Sequence, residues 1–250
     1  MAPLQLAIVL SILWATNSSA GVRRFTYVYE TTTSPPGGFD LETWVTWRTH
    51  PRGDQSFDQV DFRHELEFGI SQRLQIALYL ADWNYHDADS IAAGFSYSDA
   101  AVELLYNLTN PVIDPVGLSI YQEYKLGDRL VEWESKLIVQ KNFGPLILAY
   151  NATLEAVWEG EDLAEREGEL VQAVGASYEI SPALSTGLEL VHETVLPEWR
   201  TRDRAINFFA GPNVSLRRGS AFLTVTALAQ ATRTTGEPDF QLRTIFGLGF

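Results

Sequence analysis

Residues 239–250 read DFQLRTIFGLGF, and taking every second residue separates them into two faces. Phe240, Leu242, Thr244, Phe246, Leu248 and Phe250 share one face, and Gln241, Arg243, Ile245, Gly247 and Gly249 share the other. A period of two is that of a β-strand, whose successive side chains point to opposite sides of the sheet. The stretch therefore predicts a strand with one continuous apolar face, closing on an aromatic residue.

The same period recurs upstream. Phe62, His64, Leu66, Phe68 and Ile70 alternate with Asp61, Arg63, Glu65, Glu67 and Gly69. Val131, Trp133, Leu137 and Val139 alternate with Glu132, Glu134, Lys136 and Gln140. Up to twelve such segments can be drawn, near 39–49, 60–70, 74–85, 93–106, 116–126, 129–141, 145–158, 168–180, 183–194, 205–217, 220–230 and 239–250. Each is about as long as a tilted strand needs to be to cross a bilayer, and roughly twice the length of a globular strand. Short connections at 71–73, 142–144, 181–182 and near Gly219 alternate with longer polar ones at 50–59, 86–92, 159–167, 197–204 and 233–238. Short turns at one end and long loops at the other describe an up-and-down membrane barrel. Two connections break the rule, 107–115 being long and Gly127-Asp128 tight, so the count is twelve or ten. Pro212 lacks a ladder donor and predicts a bulge or a shortened tenth strand.

Composition narrows the class. With no cysteine, neither a disulfide framework nor a thiolate metal site can form. A hydrophobic fraction of 46% is low for a helical membrane protein, and beyond the N-terminus no stretch approaches the roughly 18 apolar residues that a spanning helix needs. A formal net charge of -14 excludes nucleic acid as a partner, because phosphates call for a basic surface. At the N-terminus, the apolar run Leu6 to Trp14 and the small residues Ser18, Ser19 and Ala20 predict a cleaved export signal over 1–20. A leader over 21–38, periplasmic or lumenal, then precedes a barrel over 39–250.

Alternation alone leaves open which face is the inside. Strand length and the aromatic residues near strand ends, Trp47, Trp83, Tyr106, Trp158, Tyr178, Phe240 and Phe250, favour charged residues inside and apolar ones toward lipid. The terminal strand points the same way, since it resembles the targeting strand of bacterial outer-membrane β-barrels. That resemblance implies the outer membrane as compartment, Phe246, Leu248 and Phe250 as an assembly signal, and the barrel-assembly machinery, membrane lipids and lipopolysaccharide as partners. Residues 25–38, FTYVYETTTSPPGG, run into the alternating FDLETWVTW. A Tyr-x-Tyr-Glu-Thr stretch, a Pro/Gly turn and an acidic alternating strand resemble the entry to small outer-membrane barrels related to the phenol-degradation-pathway channel family. Thr31 to Thr33 with Pro35, Pro36, Gly37 and Gly38 form a poor strand and a good turn.

Catalytic and metal chemistry finds no footing. His50, His64, His86 and His192 are scattered, and no HExxH follows His64-Glu65 or His192-Glu193. An outer-membrane lipid hydrolase would need Ser and His on one strand face, whereas His192 has Leu190 and Thr194 beside it. The loop acids Asp87, Asp89, Glu159, Glu161 and Asp162 do not follow a calcium-loop order. Asn107, Asn151 and Asn213 stand in glycosylation sequons, two of them in strands or tight turns.

What the inner face holds is charge. Arg63, Glu65, Glu67, Glu123, Lys125, Glu132, Glu134, Lys136, Glu189 and Arg243 are the candidate lumen residues, with Glu103, Glu155 and Glu179 adding to the acidic excess. Such charges either pair into a network that fills the lumen or select cations in an open one. The expected protein is an all-β, single-domain outer-membrane barrel, not an enzyme and without cofactor or metal, passing small solutes. A closed barrel whose loops bind a partner is the alternative.

Overall fold

The computed structural model describes residues 23–51, 54, 56–88 and 91–250. The export segment expected over 1–20 and the loop acid Asp89 lie outside the described residues. Fourteen strands form one sheet: β1 Phe39–Thr49, β2 Asp58–Gly69, β3 Leu74–Tyr79, β4 Trp83–Ala88, β5 Ile91–Tyr97, β6 Asp99–Thr109, β7 Gly117–Gly127, β8 Leu130–Phe143, β9 Leu146–Glu159, β10 Glu165–Ser181, β11 Leu184–Pro197, β12 Ala205–Arg218, β13 Ala221–Gln230 and β14 Phe240–Gly249. β3 and β4 both pair with β2, one beyond the other, and make a single interrupted stave of the wall. β5 and β6 form a second interrupted stave, pairing with β4 and β3 respectively. The wall thus has twelve antiparallel staves, and β1 closes it by pairing with both β2 and β14. Among the described residues no helix is long and apolar enough to cross a membrane.

The interruption in the third stave coincides with an inward ion pair. At Leu80–Asp82 the chain leaves the ladder, and Asp82 turns its carboxylate inward to accept from Arg63 Nε at 2.6 Å. Pairing continues across the gap through the backbone of Asp82, which bonds Asp99 and Ser98. Pro212, by contrast, makes no bulge. β12 keeps one register along its whole length, and only the pairs of Gly211 and Pro212 with β13 are missing from the ladder. The prolyl ring lies on the outer face, where its missing N–H costs one local gap.

The sense of the wall is polar inside. Glu65, Glu103 and Glu189 are 0% exposed, whereas Leu137, Leu154, Leu188 and Phe246 stand open on the outside. β14 follows suit: Gln241, Ile245, Gly247 and Gly249 are buried, and Phe246 points outward. Trp47, Tyr106 and Tyr178 are exposed on the outer face near strand ends, whereas Trp83 is exposed within the stave that β3 and β4 make, opposite Phe62. Trp47 packs edge-on against Phe240 at 6.1 Å, and Phe39 meets Phe250 at 5.5 Å, so aromatic contacts bridge the β1–β14 closure at both ends.

Arg23 to Gly38 do not extend away from the barrel. They lie inside it, with Phe25, Thr26, Val28, Tyr29, Glu30, Thr31 and Ser34 all buried. The segment returns to the wall through a turn at Pro35–Gly38, closed by Gly38 N–H to the Pro35 carbonyl at 2.8 Å with Gly37 at φ 77. Proline second and a positive-φ glycine third are what this turn geometry requires.

Candidate functional site

An extended segment inside a barrel has no neighbouring strand to satisfy its backbone, so side chains of the wall must do it. Asn151 on β9 behaves like a strand partner, accepting from the Tyr29 N–H at 2.6 Å and donating to the Tyr29 carbonyl at 3.0 Å. Glu189 on β11 receives the N–H groups of Thr26, Tyr27 and Val28 at 2.8–2.9 Å, with the Thr226 hydroxyl at 2.5 Å. Gln140 accepts from the Thr31 N–H, and Asn107 donates to the Thr31 carbonyl. Gln75 accepts from Ser34, while Asn213, Ser215 and Thr224 donate to the carbonyls of Arg24 and Arg23. The leader therefore passes round the inner wall from β12 and β13 through β11, β9, β8 and β6 to β3 before joining β1.

Three glycines of the wall, Gly69, Gly117 and Gly175, open space for it. A Cβ at Gly175 would sit 2.6 Å from the Phe25 ring, and one at Gly69 would sit 2.0 Å from the Pro35 carbonyl oxygen. The start of the leader is held by charge. Arg23 reaches Glu42 at 2.8 Å, Glu67 at 2.6 Å and Glu65 at 3.4 Å, and its guanidinium lies over the rings of Tyr29 and Trp44. Burial works against the Arg23 charge, but Glu42, Glu67 and Glu65 outweigh it and hold its pKa well above the ordinary arginine value.

Most of these wall groups sit in the half of the barrel nearer the short turns. Above the leader, toward the long loops, a cavity of about 590 Å³ remains. Tyr27 and Tyr29 of the leader line it together with Trp44, Arg48, Glu155, Glu169, Glu193 and Arg243 of the wall. On its other side a crevice of about 40 Å³ lies between the leader and Glu42, Glu67 and Gln75.

The wall carries an uncommon charge pattern. Glu103, Glu123, Glu134, Glu155 and Glu169 stand directly opposite one another on five successive staves, β6 to β10. Like charges in direct cross-strand register destabilise a sheet unless they are compensated. Here compensation is uneven. Glu123 has Arg63 at 3.0 Å and Lys125 at 3.3 Å, Glu134 has Lys136 at 2.6 Å, and Glu103 receives the Tyr79 hydroxyl at 2.8 Å. Glu155 and Glu169 have no hydrogen bond or ion pair among the described residues.

All ten lumen candidates, Arg63, Glu65, Glu67, Glu123, Lys125, Glu132, Glu134, Lys136, Glu189 and Arg243, stand on the inner face. They do not form one site. Glu65, Glu67 and Glu189 hold the leader, Arg63, Glu123, Lys125 and Glu132 form an ion-pair network with Asp82, and Glu134, Lys136 and Arg243 reach the cavity. Two carboxylate triads bring oxygens within 4.8 Å of one another, Glu42/Glu65/Glu67 and Glu132/Glu134/Glu155. Arg23 serves the first; in the second Lys125 pairs with Glu132 and Lys136 with Glu134, and Glu155 stands beside them without an ion pair among the described residues. His64 and His192 lie on the outer face, His64 within 3.2 Å of the Thr43 hydroxyl. Asn107, Asn151 and Asn213 are buried clamps on the leader, a role their sequon spacing does not signal.

A closed twelve-stave barrel with an apolar outer face and a charged interior defines an outer-membrane β-barrel. Solved structures agree on the fold. The COG4313 outer membrane channel from Pseudomonas putida F1 matches with a TM-score of 0.64 at 13% identity, covering 92% of this chain and all of that one. The NanC porin matches at 0.55 and 8% identity over 85% of this chain and 98% of its own. The translocator domain of the autotransporter NalP from Neisseria meningitidis matches at 0.53 and 11% identity, over 87% and 89%. At such identities the likeness is one of fold. No curated protein sequence matches the chain. The chain belongs to DUF6662, a family of unknown function whose model matches residues 17–241.

Proposed function

We propose that this barrel is a non-enzymatic outer-membrane channel, passing small solutes passively through an acidic lumen whose narrow end is set by its own leader. The observation that carries this reading is the cavity of about 590 Å³ above Tyr27 and Tyr29, charged on its walls and open toward the long loops. A barrel serving only as a scaffold has no use for acids without a partner, such as Glu155 and Glu169, in its interior, where their charged form is costly. In a water-filled mouth the same carboxylates raise the local concentration of cations. Solutes enter at the long-loop mouth, dwell above the leader, and pass as it yields.

The channel-like fold neighbours and the likeness of residues 25–48 to the phenol-degradation-pathway channels support the reading. Phe246, Leu248 and Phe250 are assigned as the assembly signal, and lipopolysaccharide and lipid as the surroundings of the apolar belt. The test is a planar bilayer holding the refolded protein under a KCl gradient, where cation-selective openings are expected.

One observation favours a second reading. The leader fills the short-turn half of the lumen, which suits a closed barrel that binds a partner through its loops. A folded, inserted protein that conducts neither with nor without its leader would remove the channel and leave that alternative, which capture of a partner by the loops would then have to show.

A further inference from the structure

Within the cavity the charges are not distributed evenly. On one side Glu155 and Glu169 face each other across β9 and β10, with Glu193 next along on β11. Glu193 accepts the Tyr27 hydroxyl at 3.1 Å, while Glu155 and Glu169 have no partner among the described residues. Beside this wall Asn207, opposite Glu193 in the ladder, is fully buried with neither amide atom hydrogen-bonded.

On the other side Arg48 and Arg243 stand on the neighbouring strands β1 and β14. Arg48 is held by Asp61. Arg243 has no salt bridge among the described residues: it donates to the Thr26 carbonyl at 3.4 Å, lies 4.8 Å over the Tyr27 ring, and leaves its buried Nε unbonded. Acids and a base that line one cavity and do not meet leave each other's charge unanswered, although buried opposite charges ordinarily pair. Tyr27 forms the floor between them.

We propose that the cavity is a binding site for small zwitterions, solutes carrying an ammonium group at one end and a carboxylate at the other. The ammonium is taken by Glu155 and Glu169, and the carboxylate by the guanidinium of Arg243, whose planar fork suits it. A cavity of about 590 Å³ is the size of ordinary small-ligand sites. An anion alone meets the acidic wall, and a cation alone leaves Arg243 without a partner, so a solute with both charges is bound best. The inference rests on the channel reading for its purpose, but its test does not.

The experiment is isothermal titration of the refolded full barrel in detergent, which reads binding whether or not the protein conducts. The probes are 4-aminobutyrate and 6-aminohexanoate, compared with butyrate and butylammonium. At least one zwitterion should bind about tenfold more tightly than either singly charged probe, the scale of one charge-assisted contact. Arg243→Gln should reduce its affinity to that of butylammonium, and the double variant E155Q/E169Q to that of butyrate. Both variants are first checked for barrel folding by heat-modified gel migration. A zwitterion that binds no better than the singly charged probes, or a preference that survives either variant, overturns the proposal. Binding with this pattern in a barrel that never conducts would keep the site and remove the channel reading. Conduction without the pattern would do the reverse.

Discussion

Asn151 and Tyr29 satisfy each other completely: the side-chain amide of one takes up both the N–H and the carbonyl of the other's backbone, at 2.6 and 3.0 Å. The pairing shows how the leader stays in the lumen. It adds no strand to the sheet, and instead borrows single side chains from staves all round the barrel.

Glu189 is the strongest of these holds, since its carboxylate takes three consecutive backbone N–H groups. Hydrogen bonds to an ionised group contribute about 1.5–3 kcal/mol each where they are not replaced by water. Glu189→Ala should therefore loosen Thr26–Val28 and raise ion conductance several-fold without unfolding the barrel. Unchanged conductance, with hydrogen exchange at Tyr27 and Val28 as slow as in the parent, would remove Glu189 from this role.

Arg23 answers three buried carboxylates at once. Replacing it with Met leaves Glu42, Glu65 and Glu67 crowded and unpaired, a loss of about 3 kcal/mol or more for a broken buried pair. The expected result is a lowered urea midpoint together with protease cleavage inside the leader. A variant as stable and as protected as the parent would show that another cation serves the triad.

Gly175 and Phe25 test the fit of the leader by shape alone. A Cβ at position 175 stands 2.6 Å from the Phe25 ring, so Gly175→Ala should destabilise the seated leader, and adding Phe25→Ala should reverse much of the loss. Equal effects in the single and double variants would mean that the glycine serves the strand and not its guest.

Neutralising Glu155 or Glu169 should raise stability and lower selectivity together. The two acids are directly opposed, and removing one relieves the repulsion that like charges in register impose. Glu169→Gln is expected to unfold at slightly higher urea and to shift the reversal potential toward zero. A loss of stability would reveal that the carboxylate has a partner.

Much of the wall was legible because a strand in a barrel obeys one local rule. The alternation of Phe62, His64 and Leu66 with Arg63, Glu65 and Glu67 sets both the strand and its faces. The connections at 110–116 and 128–129 kept the unequal lengths that made the count uncertain, yet the count is twelve. The gap at Leu80–Asp82 was not legible, because what accompanies it, the bond from Arg63 to Asp82, is a contact between different staves.

The place of the leader was hidden for the same reason. Thr31 to Gly38 read as turn and loop, and its partners Gln75, Asn107, Gln140, Asn151 and Glu189 are scattered over more than a hundred residues. A signal did exist. Gln75, Asn107, Gln140, Asn213 and Ser215 are uncharged inward residues near the short turns, and amides suit a backbone better than they suit water. Phe25, Val28 and Tyr29 are also apolar for a segment left in solvent.

The most direct measurement is single-channel conductance of the refolded protein with and without residues 23–36, under a KCl gradient in a planar bilayer. Removal of the leader should give a larger, steadier and more cation-selective conductance than the intact chain. Identical conductance in the two proteins would contradict a lumen narrowed by its own leader, and silence from both folded forms would contradict the channel itself.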